Sequence, residues 1–410
     1  MSEKLTVKNV VNINKSTLSS KENWSTLNYL DTGNITENQI DTLQIFQKGE
    51  KLPSRAKRKV EKGTIIYSTV RPNQKHFGYF DTYSDDLVVS TGFATLDIID
   101  PRVNSKYLYY LLTQNSVISQ LQSIGENSTS SYPSIRPEDI GNLSFMFPDI
   151  DIQNKIADIL TSIDKKIQIN NQINQELEAM AKTLYEYWFV QFDFPDQNGK
   201  PYRSSGGKMV YNPELKREIP EGWEVEKLSS LLEIGRETIN PMKTPKEEFK
   251  YYSIPEYDVS GSFSYELGET IRSNKFIVEK SDLLVSKLNP WFNRVVYNLE
   301  ENAISSTEFI VWKTFNRFEK NFLYQVATSK EFIEYCTRFA TGTSNSHKRV
   351  SPDIMVGFQI PFKKTYIQKF GEITDSIRTQ VLQNNVQNQE LTQLRDWLLP
   401  MLMNGQVKVE

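Results

Sequence analysis

From Ile156 the apolar positions step by three and four through Ile159, Ile163 and Ile167, pass an asparagine at Asn170, and resume at Leu177, Met180, Leu184 and Trp188. A later segment keeps the same rhythm through Phe370, Ile373, Ile377, Val381, Asn384, Leu391, Leu394 and Leu398. This is the spacing of a coiled-coil seam. The likeness extends to the residues themselves, because NNQINQELEAM (Asn170 to Met180) returns 214 positions later as NNVQNQELTQL (Asn384 to Leu394). Helices of about 35 to 40 residues would be rods of about 50 to 60 Å. So narrow an apolar seam does not stabilise a helix alone, and each needs a partner along its length.

Around these helices the pattern changes to short β-rich runs, such as TIIYSTV and DLLVSKL, bounded by Gly, Pro and Asn, and to helical stretches such as KYLYYLLTQNSVISQLQSI and NFLYQVATSKEFIEYCTRFA. These too come in pairs and in one order. KGTIIYSTVRP (Lys62 to Pro72) lies over KSDLLVSKLNP (Lys280 to Pro290), VVSTGFATL over ISSTEFIVW, and GENSTSSYPSIRPEDI over GTSNSHKRVSPDI. A period this long signals a duplicated domain and not a solenoid. Trp24 and Trp223 are taken as the two starts, which makes the second half longer by 19 residues between its Trp and its matched Lys, as if by insertion. The stretch from Phe194 to Trp223, rich in Gly, Pro and Ser, reads as an extended connection or hairpin.

The fold class expected is α+β: two similar globular α/β domains, residues 1–149 and 220–362, with long helices at 150–193 and 363–403 and a linker at 194–219. Duplicated halves pack about a pseudo-twofold axis, and helices so related run antiparallel, bringing Asn170 and Asn384 together at the centre. A buried Asn costs stability but fixes register. The alternative is that both asparagines are solvated and each helix packs on its own domain.

The 410 residues carry a net charge of only -3, so any nucleic-acid contact needs positive charge gathered locally. One cysteine, Cys336, and two histidines, His76 and His347, leave no disulfide and no thiolate zinc site. No metal site is expected. The N-terminus has no apolar core of signal-peptide length, and no run approaches the roughly 18 apolar residues of a membrane span. A cytoplasmic protein without membrane association is expected.

The densest positive cluster is KGEKLPSRAKRKVEKG, with Arg55, Lys57, Arg58 and Lys59 at its heart. Phosphate contact is the functional reading, and a solvated surface loop the plain one. Downstream, Arg71, Asn73, Gln74, Lys75 and His76 follow a predicted strand in a loop broken by Pro72. Arg suits guanine edges and Asn or Gln adenine edges. The second half places Lys287, Asn289, Trp291, Asn293 and Arg294 at the matching loop. Divergence at a shared position would let two domains of one fold read different sequences. A hydroxyl-rich loop with Ser130 and Tyr132 is answered by Ser344, Asn345, His347, Lys348 and Arg349, which reads as a phosphate or base contact or as a polar turn.

Catalytic signatures are missing. NPWF (Asn289 to Phe292) carries Trp291 where a methyltransferase's Asn-Pro-Pro-aromatic motif needs a second proline, and GTSNSHK lacks the second glycine of a phosphate loop. The carboxylates form no nuclease cluster. The residues argue for binding without catalysis.

The string SRAKRKVEKGTIIYSTVRPNQKHFGYF, the IPEGWEVEKL opening of the second half and the helix IADILTSIDKKIQINNQINQELEAMAKTLYEYWF together resemble the DNA-specificity subunit of type I restriction-modification systems. The likeness runs from about Trp24 to Gly405. It implies two target-recognition domains, each reading half of a split double-stranded DNA site, with two antiparallel helices as a ruler. It also implies a non-catalytic chain that docks two modification subunits, which carry S-adenosylmethionine and methylate adenine, and that joins ATP-dependent restriction subunits. This chain would then need no cofactor. Helix surfaces and the ends near Tyr185, Trp188, Phe189, Trp397 and Leu398 would hold partners or pack in the core. The competing reading is a coiled-coil interaction scaffold that does not recognise DNA sequence.

Overall fold

A computed structural model describes residues 3–19, 22–82, 84–128, 132–342, 347–407 and 409. The chain divides into two compact units, Met1–Ile169 with Val386–Glu410, and Asn170–Asn385. Each holds the globular part of one sequence half.

In the first unit one sheet has the strand order Gln44–Gln47, Thr26–Leu30, Leu87–Ser90, Ala56–Lys59, and a second has Val11–Ile13, Phe93–Ile98, Ile65–Ser68, Phe77–Tyr79. The second unit repeats both. Its first sheet runs Ser264–Leu267, Glu248–Tyr252, Ala303–Ser305, Lys275–Val278, with Thr238–Ile239 added at the edge. Its second runs Leu232–Gly235, Phe309–Thr314, Leu283–Ser286, Val295–Tyr297. The parallel pairing falls at the same place in each, Leu87–Ser90 on Thr26–Leu30 and Ala303–Ser305 on Glu248–Tyr252. The runs TIIYSTV and DLLVSKL become strands buried along their whole length, as unbroken apolar runs require.

The repeat does not begin where tryptophan suggested. Glu224–Lys227, next to Trp223, pairs antiparallel with Gln359–Phe362, and the equivalent pair in the first unit is Glu3–Thr6 with Ser144–Phe147. Trp24 instead packs on a small cluster of Leu27, Tyr29, Ala56 and Val88. From Glu3 to Lys62 is 59 positions and from Glu224 to Lys280 is 56, so the 19-residue insertion disappears. The misreading came from matching a residue type whose surroundings differ: Trp223 lies among Phe189, Phe192, Phe194 and Tyr366. The segment after the first helix forms the hairpin Met209–Asn212 with Arg217–Pro220, and Phe194 and Ile219 join the second unit's core.

The long helices are Ile150–Tyr185, continued by a wider turn over Glu186–Val190, and Lys364–Met403. In the second unit Asn174 faces Asn384 and Asn385 while Glu178 faces Arg378, so the helices run antiparallel. Asn170 and Asn384 are 0% and 6% exposed. Asn384 Nδ2 donates to Asn174 Oδ1 at 2.8 Å, one turn along from Asn170, and Gln380 donates to Asn384 Oδ1 at 2.9 Å. Helix ends belong to the domain cores: Tyr185, Trp188, Phe189 and Phe370 in the second unit, Ile156, Leu160 and Leu402 in the first. Leu398 packs against the first core, whereas Trp397 stays exposed.

Each unit fastens its helix pair to its domain by an acid, a base and a tyrosine. In the first, Asp164 accepts from Tyr110 Oη at 2.6 Å and from Arg395 Nη1 at 3.1 Å. In the second, Arg378 donates to Glu178 at 3.2 Å, with its guanidinium 4.0 Å from the Tyr324 ring centre and 4.9 Å from that of Tyr297. The same 214-residue shift relates Tyr110 to Tyr324 and Asp164 to Arg378, so the clasps are equivalent with charges reversed. In both, the acid sits on the first helix and the base on the second. Burial opposes the charge of Arg395, but Asp164 and Asp396 outweigh it and raise its pKa.

Lys320, 3% exposed, donates to the carbonyls of Lys280 and Asn298 at 2.8 and 2.5 Å. Burial pushes its ammonium down to about 7, with Arg378 and Lys280 adding to the effect and Asp282 opposing it. The folded chain therefore binds fewer protons than the unfolded chain above that value, and stability rises with pH from about 7 towards the ordinary lysine value of 10.5. Lys320→Met should remove this rise from melting temperatures measured across pH 7 to 9.

The clasp itself separates ion pairing from stacking. Two partly desolvated cation–π contacts are worth about 1–2 kcal/mol each. An ion pair whose acid is 46% exposed contributes under about 1 kcal/mol. Arg378→Ala should thus destabilise the chain by about 2–3 kcal/mol in denaturant unfolding, and Glu178→Ala by less than about 1 kcal/mol. The reverse order would show that the carboxylate, not the tyrosines, holds the clasp.

Candidate nucleic-acid interface

The two loops expected to touch nucleic acid are built on one backbone turn made twice. Ser68 ends its strand with Oγ donating to the Val70 carbonyl and accepting from the Val70 amide, and Ser286 does the same with Leu288. The next residue is left-handed in both: Arg71 at φ 47° and ψ 68°, Asn289 at φ 46° and ψ 66°. A single 3-10 turn follows, Pro72–Gln74 or Pro290–Phe292, and a second left-handed residue closes it, Lys75 or Asn293. Proline alone is shared between the two turns. Left-handed residues other than glycine cost about 1–3 kcal/mol each, so the surroundings must hold this shape.

Those surroundings are the hydroxyl-rich loops. Arg71 N–H donates to the Pro133 carbonyl at 2.8 Å, and Asn289 N–H donates to the Lys348 carbonyl at 2.7 Å. The Asn289 side chain accepts from Lys348 N–H at 2.9 Å, and the Arg71 guanidinium lies 5.7 Å from the Tyr132 ring centre. Each unit therefore joins its first and second candidate loops into one surface. Ser130, Ser344 and Asn345 lie outside the described residues. The basic strand reaches the same end of the first unit, because the Arg55 carbonyl accepts from Thr91 N–H and the adjoining Gly92 carbonyl accepts from Thr69 N–H.

Within this surface the side chains divide. Arg71, Asn73 and Gln74 are exposed at the first turn, while Lys75 pairs with Glu37 at 2.5 Å and His76 Nδ1 lies 2.6 Å from the Ile35 carbonyl. At the second turn Trp291, Phe292 and Asn293 are exposed, Asn289 is buried and Lys287 half-buried. Arg294 makes a bidentate pair with Asp258 at 2.5 and 2.7 Å, and Arg349 one with Glu308. Hydrogen bonding to Glu308, together with its charge, raises the Arg349 pKa. His347 is exposed and Lys348 half-buried.

On the basic strand, Arg55 and Lys57 point to solvent and Lys59 pairs with Glu22 at 2.9 Å. Arg58 is half-buried with no hydrogen-bond partner for Nε, and burial lowers its pKa. Sequence reasoning missed Phe292 and the bracing acids Glu37, Asp258 and Glu308. The only available signal for Phe292 was its place beside Trp291. Among the described residues no group of three or more His, Cys, Asp or Glu could hold a metal ion, and no helix is long and apolar enough to cross a membrane.

The architecture is that of a duplicated α+β chain, with a matched loop surface in each copy and a paired long helix after each. A family model for the type I restriction modification DNA specificity domain matches residues 2–179. The chain is 26% identical to the type I restriction enzyme HindI specificity subunit of Haemophilus influenzae, across 92% of this chain and 94% of that one. It is 27% identical to the MjaIX specificity subunit of Methanocaldococcus jannaschii, across 93% and 84%. The crystal structure of a type I restriction-modification S subunit from M. genitalium shares the fold, with a TM-score of 0.55 at 15% identity over 98% of this chain and 96% of that one. Residues 2–179 thus match a type I restriction modification DNA specificity domain, and nearly the whole chain is similar to type I specificity subunits.

Gly342, matched by Gly125, is where the second loop closes. A Cβ there would lie 2.5 Å from the His347 carbonyl oxygen, backbone that cannot swing aside. Gly342→Ala should speed amide hydrogen exchange at Asn289 and Arg349, whose N–H groups depend on this segment, while leaving exchange at Arg71 unchanged.

Proposed function

We propose that this chain is the non-catalytic DNA-reading subunit of a type I restriction-modification complex, and that it recognises a bipartite, asymmetric site with one half-site per domain. It directs adenine methylation by two modification subunits, which carry S-adenosylmethionine, and restriction by ATP-dependent subunits, while holding no cofactor itself. One observation carries the reading. The same strained turn occurs in both domains, yet it presents Arg71, Asn73 and Gln74 in one and Trp291, Phe292 and Asn293 in the other. A shared frame with unlike exposed side chains suits two different half-sites.

The long helices serve as the spacer in this reading, and their exposed apolar residues, including Met180, Leu394 and Trp397, suit partner subunits. Methylome sequencing of cells carrying the chain with its modification subunit should give one gapped, asymmetric motif; an ungapped motif would sink the proposal. Four residues added to each helix lengthen it by about 6 Å, close to two base steps of about 3.4 Å. The gap should grow by about two base pairs, and an unchanged gap would remove the helices from the spacing role.

Phosphate contact by the basic strand has its own signature. Because Lys59 is paired and Arg58 half-buried, Arg55 and Lys57 are the contacts expected. Replacing both by Ala should flatten the slope of log affinity against log salt by about two, without altering which sequence is preferred. An unchanged slope would favour the scaffold reading for this face.

A further inference from the structure

At the second turn, two large rings stand at the tip where the first turn has amides. Trp291 and Phe292 are 38% and 57% exposed, with ring centres 5.9 Å apart and planes at 48°. Single exposed apolar residues are ordinary. Two adjacent rings, one of them backed by an arginine of the same chain, are not. The Arg294 guanidinium lies 4.6 Å from the Phe292 ring centre, and Arg294 is itself fixed through Nε and Nη2 to Asp258 on the helix Ile254–Ser260. The backbone beneath is clamped between left-handed Asn289 and Asn293, with Asn289 bonded twice to Lys348. Rings already ordered lose little side-chain freedom on binding, which favours contact over solvent exposure.

We propose that Trp291 and Phe292 form an apolar wedge that enters a base step of the half-site read by the second domain. Apolar side chains inserted between bases unstack the step and kink the duplex. Pyrimidine–purine steps yield most easily, so the wedge selects sequence through deformability as well as contact. The first domain, with Asn73 and Gln74 at the same place, selects by hydrogen bonds to base edges. Contact with a thymine methyl would need one small apolar surface. Two tilted rings 5.9 Å apart exceed the stacking repeat of about 3.4 Å, so one enters while the other braces it.

The proposal rests on the reading of the chain as a DNA-recognition subunit, and its test keeps the two apart. The full chain in complex with its modification subunits is bound to duplexes carrying the mapped site, with 2-aminopurine placed in turn at each position. Apart from the adenines that the modification subunits flip out for methylation, wild type should raise fluorescence at one step of the half-site read by the second domain. Trp291→Ala and Phe292→Ala should abolish the rise and weaken binding on the order of 10- to 100-fold. The salt slope and the preferences at the other half-site should not change, because no phosphate contact is lost. Phe292→Leu, which stays apolar, should keep part of the rise. Specific binding without that rise at a step away from the methylated adenines, or a rise there that survives both Ala variants, overturns the wedge alone. So does uracil in place of thymine weakening binding as much as the Ala variants do, with no rise, since the rings then touch a methyl group. Loss of sequence preference by the wild-type complex overturns the recognition reading and the wedge with it.

Discussion

Each long helix has too narrow an apolar seam to survive in water, and the rest of the molecule follows from how that seam is covered. The cover is not purely hydrophobic. In the second unit Asn384 donates to Asn174 and Asn174 donates to the exposed Asn385 between the helices, and the buried Asn384 resists slippage because, displaced, it would lose its partner away from water. A seam of leucines alone would tolerate sliding by a turn; this one does not. The acid, base and tyrosine clasps then join helix pair to domain. Their reversed polarity carries a further consequence: with acids on the first helix and bases on the second, the helices complement each other, whereas two copies of either one would set like charges together.

The second constraint is backbone strain at the turns. Two non-glycine left-handed residues per turn would be expensive in an isolated loop, and both copies retain them with different side chains. What the copies share is the serine that ends the strand, the proline, and the hydrogen bond from the first left-handed residue to the neighbouring loop. The shape is therefore held by main-chain partners and by few side chains. A frame fixed in this way leaves its tip residues free to differ without cost to the fold.

Much of the architecture was legible because it is periodic. Apolar steps of three and four marked the helices, the repeated NNxxNQEL string marked the duplication, and unbroken apolar runs marked the buried strands. What escaped the sequence was pairing over distance. Lys75, His76, Arg294 and Arg349 all read as free recognition groups, yet each meets a partner 36 to 41 positions away: Glu37, Ile35, Asp258 and Glu308. No local pattern links such residues. The start of the repeat was misplaced for a related reason, since Glu3–Thr6 is too short to read as a strand until Ser144–Phe147 pairs with it. Left-handed Arg71 and Lys75 carry no sequence signal, being neither glycine nor asparagine.

Those long-range pairs also change what the basic residues mean. A guanidinium engaged in a bidentate carboxylate pair has spent its geometry on its own chain, and contact with a base edge would have to break that pair. Arg294 and Arg349 therefore act as braces: one orders the phenyl ring of Phe292, and the other ties the second loop to Glu308. Arg71 differs, because it leans on the Tyr132 ring at 5.7 Å and is exposed. Two copies of one turn thus divide the work differently, with arginine outward beside amides in the first domain and inward behind aromatic rings in the second. Unequal use of an equal frame gives a duplicated chain two unlike loop tips.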